Sequence, residues 1–190
     1  MKISAEEKHQ LKTLNKRGIA LAAKLGMKPV EIVVSNRRGN TNAFINLSED
    51  KVYVGAGVLM MPEWAQNFIV GHELGHLLRK RSQLIFYKVI GLLVLFIVGG
   101  CLSISQAGDI NTMATLMMLM IGGLGLNLIV AFASRYEEYH ADFVATKLTG
   151  RHTLSRVADL YDSDITDDDP WLVKAFSRHP TWSQRVAKHC

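Results

Sequence analysis

Two long apolar runs near the middle of the chain decide its architecture. They read IFYKVIGLLVLFIVGGCLSIS at residues 85–105 and MATLMMLMIGGLGLNLIVAFA at residues 113–133. As a helix, each run measures about 30 Å, the thickness of the hydrocarbon core of a bilayer. Between Val89 and Ser134 the only charged side chain is Asp109. The pattern predicts a transmembrane hairpin that interrupts a polar domain.

The alternative to a membrane hairpin is a buried helical hairpin inside a soluble core. The chain has 190 residues, of which 48% are hydrophobic and 21% are charged. A domain of this size is too small to cover two such helices on all sides, so we prefer the membrane hairpin. The same composition excludes a disordered chain and a disulfide-rich secreted scaffold.

Basic residues flank the outer ends of the hairpin and are missing from its connecting loop. They are Arg79, Lys80, Arg81 and Lys88 before the hairpin and Arg135 after it. By the positive-inside rule we expect both termini and both polar segments on the cytoplasmic side, in the inner or plasma membrane if the source is bacterial. The net charge of +5 comes without a basic patch interleaved with aromatic residues, so no nucleic-acid partner is predicted.

The polar segments have the pattern of a small α+β domain. Helices are expected at residues 4–25, 62–79, 136–148 and 154–161, and strands at residues 30–35, 43–47 and 52–54. The predicted fold class is mainly α with a small β-sheet, in a single domain over residues 1–190 that the hairpin at 85–133 interrupts. The acidic run DSDITDDD at 162–169 lacks the glycine and the terminal glutamate of an EF-hand, which predicts a solvated loop.

The sequence HELGH at residues 72–76 is the main candidate for chemistry. On a helix, His72 and His76 lie one turn apart on the same face, so both imidazoles can bind one ion, and Glu73 is close enough to activate a water molecule. A catalytic zinc ion needs a third protein ligand, and no CxxC pair is present to supply thiolates. The segment SRYEEYHAD, directly after the second span, offers candidates for this ligand: Glu137, Glu138, His140 and Asp142.

HELGH, a hydrophobic hairpin and then SRYEEYHAD together resemble the HtpX and CAAX prenyl protease family of integral membrane zinc metallopeptidases. The family pattern is HExxH followed by SRxxExxAD, and the second part matches without gaps at Ser134, Arg135, Glu138, Ala141 and Asp142. The resemblance implies that Glu138 is the third zinc ligand and that Asp142 orients a ligand histidine or the metal-binding helix. It also implies a gluzincin-like metalloprotease domain with one catalytic Zn²⁺.

Two further segments extend the resemblance. NAF at 42–44 is similar to the family's strand motif, and FSRHPTWSQRV at 176–186 is similar to its HP…R segment. The resemblance implies that His179 donates to the developing oxyanion and that Arg185 fixes one of the carboxylates on the helix after the hairpin. The residues themselves also allow His179 to cap a helix that begins at Pro180 and Arg185 to make a surface contact.

The predicted function is a membrane-embedded zinc endopeptidase with Glu73 as general base. Its expected partners are the lipid bilayer and a polypeptide substrate. The substrate is expected to be membrane-associated or hydrophobic, as in membrane protein quality control. Its backbone is expected to lie along an edge strand drawn from residues 43–54. The sequence does not specify an oligomeric state. The alternative is a non-proteolytic membrane protein with a structural or regulatory zinc site, although such a site has no use for Glu73. A small channel is disfavoured because the spans lack internal ionisable residues.

Overall fold

A computed structural model describes residues 4–35, 41–106, 112–161 and 169–189. Residues 107–111 of the loop between the apolar runs, residues 162–168 of the acidic run, and Cys190 lie outside the described residues. The helices are α1 Ala5–Lys24, α2 Ala56–Leu59, α3 Glu63–Leu78, α4 Lys80–Gln106, α5 Thr112–Thr149, α6 His152–Ala158, α7 Trp171–Phe176 and α8 Trp182–His189. The strands are β1 Glu31–Val34, β2 Ala43–Asn46 and β3 Lys51–Val54. The predicted fold class, mainly α with a small sheet, is confirmed.

Helix α1 begins with a capping box and is fixed to the sheet by an asparagine. The Glu7 amide donates to the Ser4 hydroxyl at 3.1 Å, and the Ser4 amide donates to the Glu7 carboxylate at 2.7 Å. The helix ends before Gly26, whose φ of +70° lies in the left-handed region. The side-chain amide of Asn15 bonds the backbone N–H and C=O of Ile32 at 2.8 and 2.9 Å. These bonds satisfy backbone groups that the sheet leaves open on β1.

The sheet has the strand order β1-β3-β2, with β1 parallel and β2 antiparallel to β3. The central strand β3 contributes Val52 and Val54 to the core, where neither is exposed. On the other face, the Phe44 ring of β2 stacks on the Tyr53 ring with centroids 5.2 Å apart. Within the described sheet, β2 is an edge strand, and it lies beside α3.

Helix α3 packs directly against the second half of α5, with glycines at the contact. A Cβ atom added at Gly75 would lie 2.7 Å from the Ala141 Cα atom, and one added at Gly71 would lie 3.3 Å from the Ala145 Cα atom. Only glycine allows the two backbones to approach so closely. The helix that carries HELGH and the helix that follows the hairpin are therefore in backbone contact.

Two clusters of buried side chains hold the polar domain together. The first joins α1, the sheet, α2 and α3, and includes Leu14, Val58 and Leu74. The second joins α3, α5 and α6 through Phe68, Leu154 and their neighbours. Each such side chain contributes about 1.5–3 kcal/mol when fully buried. Helix α3 belongs to both clusters, so its orientation is fixed from two sides.

Helices α4 and α5 contain the two predicted spans. The segments 80–103 and 113–149 are long and apolar enough to cross a membrane, and their most apolar 18-residue windows have mean hydropathies of 2.4 and 2.2. Their apolar side chains point outward, and Phe96 and Met120 are 79% and 75% exposed. In this chain the hairpin is therefore not buried in a soluble core, and that alternative is wrong. Helix α5 continues for about 24 Å beyond residue 133 and enters the polar domain.

Candidate metal centre

Three side chains from α3 and α5 direct ligand atoms at one point. The Nε2 atoms of His72 and His76 lie 3.2 Å apart. The two carboxylate oxygens of Glu138 lie 3.5 Å from these nitrogens, Oε2 from His72 and Oε1 from His76. Among the described residues, His72, His76 and Glu138 form the group of potential metal ligands whose ligand atoms all lie within 4.8 Å of one another. The structure thus selects Glu138 from the four candidates that the sequence offered.

The spacing of these atoms matches a tetrahedral zinc site. With zinc–ligand bonds of about 2.0–2.2 Å, neighbouring ligand atoms in a tetrahedron lie about 3.3–3.6 Å apart. The observed separations of 3.2 and 3.5 Å fit this value. Two imidazoles and one carboxylate are also the ligand set of catalytic zinc sites that keep a fourth position open. The residues present therefore fit a catalytic divalent cation.

A buried ion pair supports the first histidine. The Nδ1 atom of His72 lies 2.9 Å from Oδ1 of Asp142, whose side chain is completely buried. Arg185 donates two hydrogen bonds to Asp142, from Nε at 2.7 Å and from Nη2 at 2.6 Å. A carboxylate on Nδ1 leaves the Nε2 lone pair of His72 directed at the metal position.

Burial and hydrogen bonding give the two histidines opposite pKa shifts. Burial lowers the pKa of His76 to about 4, with the neighbouring His72 charge acting in the same direction. Burial also acts to lower the pKa of His72, but hydrogen bonds to Asp142 and Glu138 outweigh it and raise that pKa to about 10. Binding of a cation by both imidazoles therefore requires His72 to release its proton.

Glu73 is a buried carboxylate beside the ligands. It lies one residue from His72 on α3 and is 7% exposed. Burial raises its pKa to about 7, an effect that the nearby Glu138 reinforces and that His72 and Arg185 oppose. A carboxyl group with a pKa near neutrality can both accept and return a proton, which is what a general base requires.

The candidate ligands open into a cavity of about 620 Å³. One wall is the edge strand β2, and the opposite side contains residues of the segment before and within α8. The lining includes Ala43, Phe44, Ile45, Glu73, Tyr161, His179 and Trp182. The volume is typical of a ligand site, and the strand gives it an extended wall.

The structure places both residues of the HP…R segment at the ligands. Nδ1 of His179 lies 3.3 Å from Oε1 of Glu138, and this hydrogen bond raises the pKa of His179. The alternatives for this segment do not hold. Helix α8 begins at Trp182 and takes its capping hydrogen bonds from Thr181 rather than His179, and Arg185 is only 8% exposed.

Besides flanking the hairpin, Arg135 makes contacts that the sequence did not reveal. Its guanidinium donates to three carbonyls at the end of α7, those of Lys174, Ala175 and Ser177. Positive charge on the last carbonyls of a helix is stabilising. The bond to Ser177 fixes the segment that leads to His179. The motif places an arginine here, but nothing in the sequence indicates which carbonyls it binds.

An aromatic stack at the cavity rim also escaped the sequence analysis. The Tyr161 and Trp182 rings stack with centroids 5.6 Å apart, and the Arg185 guanidinium lies 3.9 Å from the centre of the Trp182 ring. The Tyr161 hydroxyl donates to the Thr41 carbonyl, two residues before β2, at 2.7 Å. Burial raises the pKa of Tyr161 to about 12, which keeps this donor protonated. The stack ties the edge strand to the arginine behind the ligands.

The remaining acidic and histidine candidates lie elsewhere. Glu137 pairs with Arg79 at 3.3 Å and accepts a hydrogen bond from Gln83 at 3.1 Å, so it points away from the ligands. His140 lines a separate groove on α5.

This arrangement, HExxH completed by a glutamate from a later helix, defines the gluzincin class of metal site. The sequence profile of Peptidase family M48 matches residues 5–189, and the chain belongs to this family. The predicted resemblance to HtpX-type metallopeptidases is confirmed. The chain is 29% identical over 145 residues to a protein of Archaeoglobus fulgidus named Protease HtpX homolog. The match covers 72% of this chain and 43% of that relative, so the chain spans less than half of the relative's length. No solved structure matches the chain significantly.

Proposed function

We propose that the protein is an integral membrane, zinc-dependent endopeptidase that hydrolyses peptide bonds of membrane-associated or hydrophobic polypeptides. One observation carries the proposal: three ligand atoms at tetrahedral spacing share a cavity with a buried glutamate and an edge strand. Membership of Peptidase family M48 supports metallopeptidase chemistry. Zinc is preferred because the ligand set is two imidazoles and one carboxylate.

In the proposed reaction, His72, His76 and Glu138 hold the ion. A bound Zn²⁺ supplies a Lewis acid that polarises the scissile carbonyl and makes water acidic enough to attack near neutral pH. Glu73 takes the proton from the attacking water and delivers it to the leaving amine. Its burial beside the ligands supports this role, because burial raises the pKa of Glu73 and makes its carboxylate a stronger base.

Three further residues are proposed to organise the reaction. His179, at 3.3 Å from Glu138, donates a hydrogen bond to the carbonyl oxygen as negative charge develops there. Asp142 holds His72 in the orientation that presents Nε2 to the metal, and Arg185 keeps Asp142 ionised and fixed. These two act through the ligand His72.

The substrate is proposed to bind in extended form along β2. This strand pairs with β3 on one side, and residues Ala43, Phe44 and Ile45 line the cavity on the other. A peptide added as a further strand makes main-chain hydrogen bonds, which tolerate many side chains. Such binding suits a protease that degrades varied polypeptides, as in membrane protein quality control.

The proposed position in the membrane follows from the hairpin. Glu138 lies five residues beyond the second predicted span, about 8 Å along the helix, and this distance supports a metal site at the level of the lipid headgroups. We propose one domain over residues 1–190, interrupted by the hairpin, with both termini and the site on the cytoplasmic side, because the flanking residues are basic. A site at this depth is accessible to polypeptides that lie at or leave the bilayer.

The proposal is tested on the full chain purified in detergent, by hydrolysis of a model peptide and by metal analysis. Wild type should bind one zinc ion and lose activity to a chelator, with recovery on adding Zn²⁺. Glu73→Gln should keep the zinc but lose about 10²–10⁴-fold in turnover, as expected for a missing general base. Unchanged turnover would remove Glu73 from this role, and full zinc occupancy with no cleavage by wild type would favour a structural or regulatory zinc site.

Neighbouring glutamates provide a matched control for the metal ligand. Glu138→Gln should lose zinc, whereas Glu137→Gln changes an identical side chain that pairs with Arg79 and should retain it. Equal zinc contents in the two variants would contradict the proposed coordination.

A further inference from the structure

A second groove lies on α5 at the point where this helix leaves the second span. Its volume is about 490 Å³, within the range of ligand sites. One wall is a stripe of aromatic side chains at helical spacing: Phe132, Tyr136, Tyr139 and Phe143. Phe132 and Phe143 are 68% and 54% exposed. The stripe extends about 16 Å along the helix, from the membrane-spanning part into the polar domain.

The end of the groove in the polar domain is basic and has two polar atoms without partners. Lys188 and His189 reach it from α8, and His140 from α5. Nδ1 of His140 and Nε2 of His189 are buried without a hydrogen-bond partner. The His189 ring lies 6.3 Å from the Tyr139 ring and 6.4 Å from the Phe143 ring. The two imidazoles therefore add polar groups to the basic end of the groove, beside Lys188.

The charge of the groove selects the kind of ligand. Of its lining residues, all in the described part of the chain, none is acidic, while Arg135 and Lys188 are cationic. The complementary ligand is therefore anionic at one end and apolar along the rest of its length. Lipid headgroups extend about 5–8 Å beyond the hydrocarbon core. Tyr139, in the middle of the groove, lies six residues, about 9 Å, past the end of the second span, which is close to the headgroup level.

We propose that this groove binds an anionic phospholipid from the surrounding leaflet. Its phosphate lies by Lys188 at the basic end of the groove, near the rings of His140 and His189, and one acyl chain follows the aromatic stripe towards Phe132. The inference rests on the membrane position proposed above but not on the metal site, which opens on a different cavity. A lipid held there would contact both α5 and α8, the helices that supply Glu138 and Arg185.

The experiment is native mass spectrometry of the full chain, released from detergent after incubation with lipids of identical acyl chains. The probes are palmitoyl-oleoyl phosphatidylglycerol, palmitoyl-oleoyl phosphatidylcholine and inorganic phosphate. Wild type should retain phosphatidylglycerol at least fivefold more than phosphatidylcholine. Lys188→Ala should reduce that preference about fivefold, the effect expected of one basic residue at an anionic surface, and Lys188→Arg should restore it.

A second variant separates the groove from general attraction to anionic lipid. Arg81 is an exposed cation at the same end of the hairpin but does not line the groove, so Arg81→Ala should leave the preference within twofold. The proposal would be overturned if Arg81→Ala lost the lipid preference as much as Lys188→Ala, or if wild type retained the two lipids equally. It would also be overturned if inorganic phosphate displaced the lipid, or if a second copy of the chain were bound in place of lipid. Zinc content, measured on the same samples, reports separately on the metal site.

Discussion

The contact between Gly75 and Ala141 sets the distance between the two helices that share the metal, so Gly75→Ala is a direct test of the site's construction. A Cβ atom at this position would lie 2.7 Å from the Ala141 Cα atom and 3.2 Å from the Ala141 carbonyl oxygen. Both neighbours are backbone atoms, which cannot rotate away. The clash can be relieved only if α3 and α5 move apart.

The size of the movement follows from ordinary contact distances. Carbon atoms in contact lie about 3.5–4.0 Å apart, so the helices must separate by about 1 Å. Metal sites tolerate deviations of about 0.2 Å in ligand distance. His76 is the next residue after Gly75, and Glu138 lies one turn before Ala141, so the separation acts directly on this ligand pair. We expect metal affinity to fall at least tenfold, with a net loss of about 0–2 kcal/mol in unfolding free energy, because overpacking costs about 1–3 kcal/mol and alanine gains about 1 kcal/mol in helix propensity.

Two other helical glycines serve as graded controls. An added Cβ at Gly71 would lie 3.3 Å from the Ala145 Cα atom, and one at Gly123 has nothing within 4 Å. Zinc affinity, measured by competition with a chelator, should therefore fall most in Gly75→Ala, less in Gly71→Ala and not at all in Gly123→Ala. Zinc binding by Gly75→Ala within twofold of wild type would show that the helix contact does not position the ligands.

Three further perturbations test individual residues of the site. Arg135→Gln removes the guanidinium that binds the end of α7, so peptide turnover should fall about tenfold with zinc content unchanged. The same change in a His179→Ala background should have no further effect. Additive losses would show that Arg135 does not act through His179. Asp142→Asn should weaken zinc binding by about 10–100-fold in the chelator competition, and unaltered affinity would remove Asp142 from ligand orientation. Burial raises the pKa of Glu73 from 4.5 to about 7 in the folded state, so the folded state binds this proton more tightly and loses stability as pH rises from 4.5 through 7. Above pH 7, metal-free Glu73→Gln should therefore exceed metal-free wild type by up to about 3 kcal/mol in unfolding free energy, with no difference near pH 4; a difference independent of pH would contradict the assignment.

The local parts of the site could be predicted from the sequence, and the distant parts could not. His72, Glu73 and His76 follow from helical geometry alone, because residues one turn apart share a face. The third ligand is different, since more than 60 residues separate it from HELGH and spacing carries no distance information over that range. Residue chemistry left four candidates, and the family resemblance was needed to choose Glu138 before the structure showed the contact.

The boundaries of the fold show the same limit. The ends of the three strands, α1 and α3 were predicted to within about two residues. Other ends were not: the helix of the first span begins at Lys80 rather than residue 85, and the helix expected at 136–148 is the continuation of α5. The helix expected at 154–161 begins at His152 and ends at Ala158, and the short helix α2 was not predicted. After residue 161 only a helix beginning at Pro180 was considered, yet the chain forms two helices there, α7 and α8, with His179 between them. The Arg135 guanidinium binds the carbonyls at the end of α7. A contact from another helix has no periodic signature in the segment it terminates.

The structure gives a physical reason for each position of SRxxExxAD after the serine. Arg135, Glu138 and Asp142 are spaced by three and four residues and so lie on one face of α5, and Ala141, three residues after Glu138, lies beside them. On that face, Arg135 anchors the segment before His179 and Glu138 supplies a metal ligand. Ala141 allows the close approach of α3, and Asp142 orients His72. The alanine is as constrained as the charged residues, because a larger side chain at a completely buried position in backbone contact with Gly75 would separate the helices. Because α5 is one continuous helix from the second span to Thr149, any shift of the hairpin in the bilayer moves all four residues together. The metal geometry is therefore preserved only where α3, anchored in both core clusters, follows the same motion.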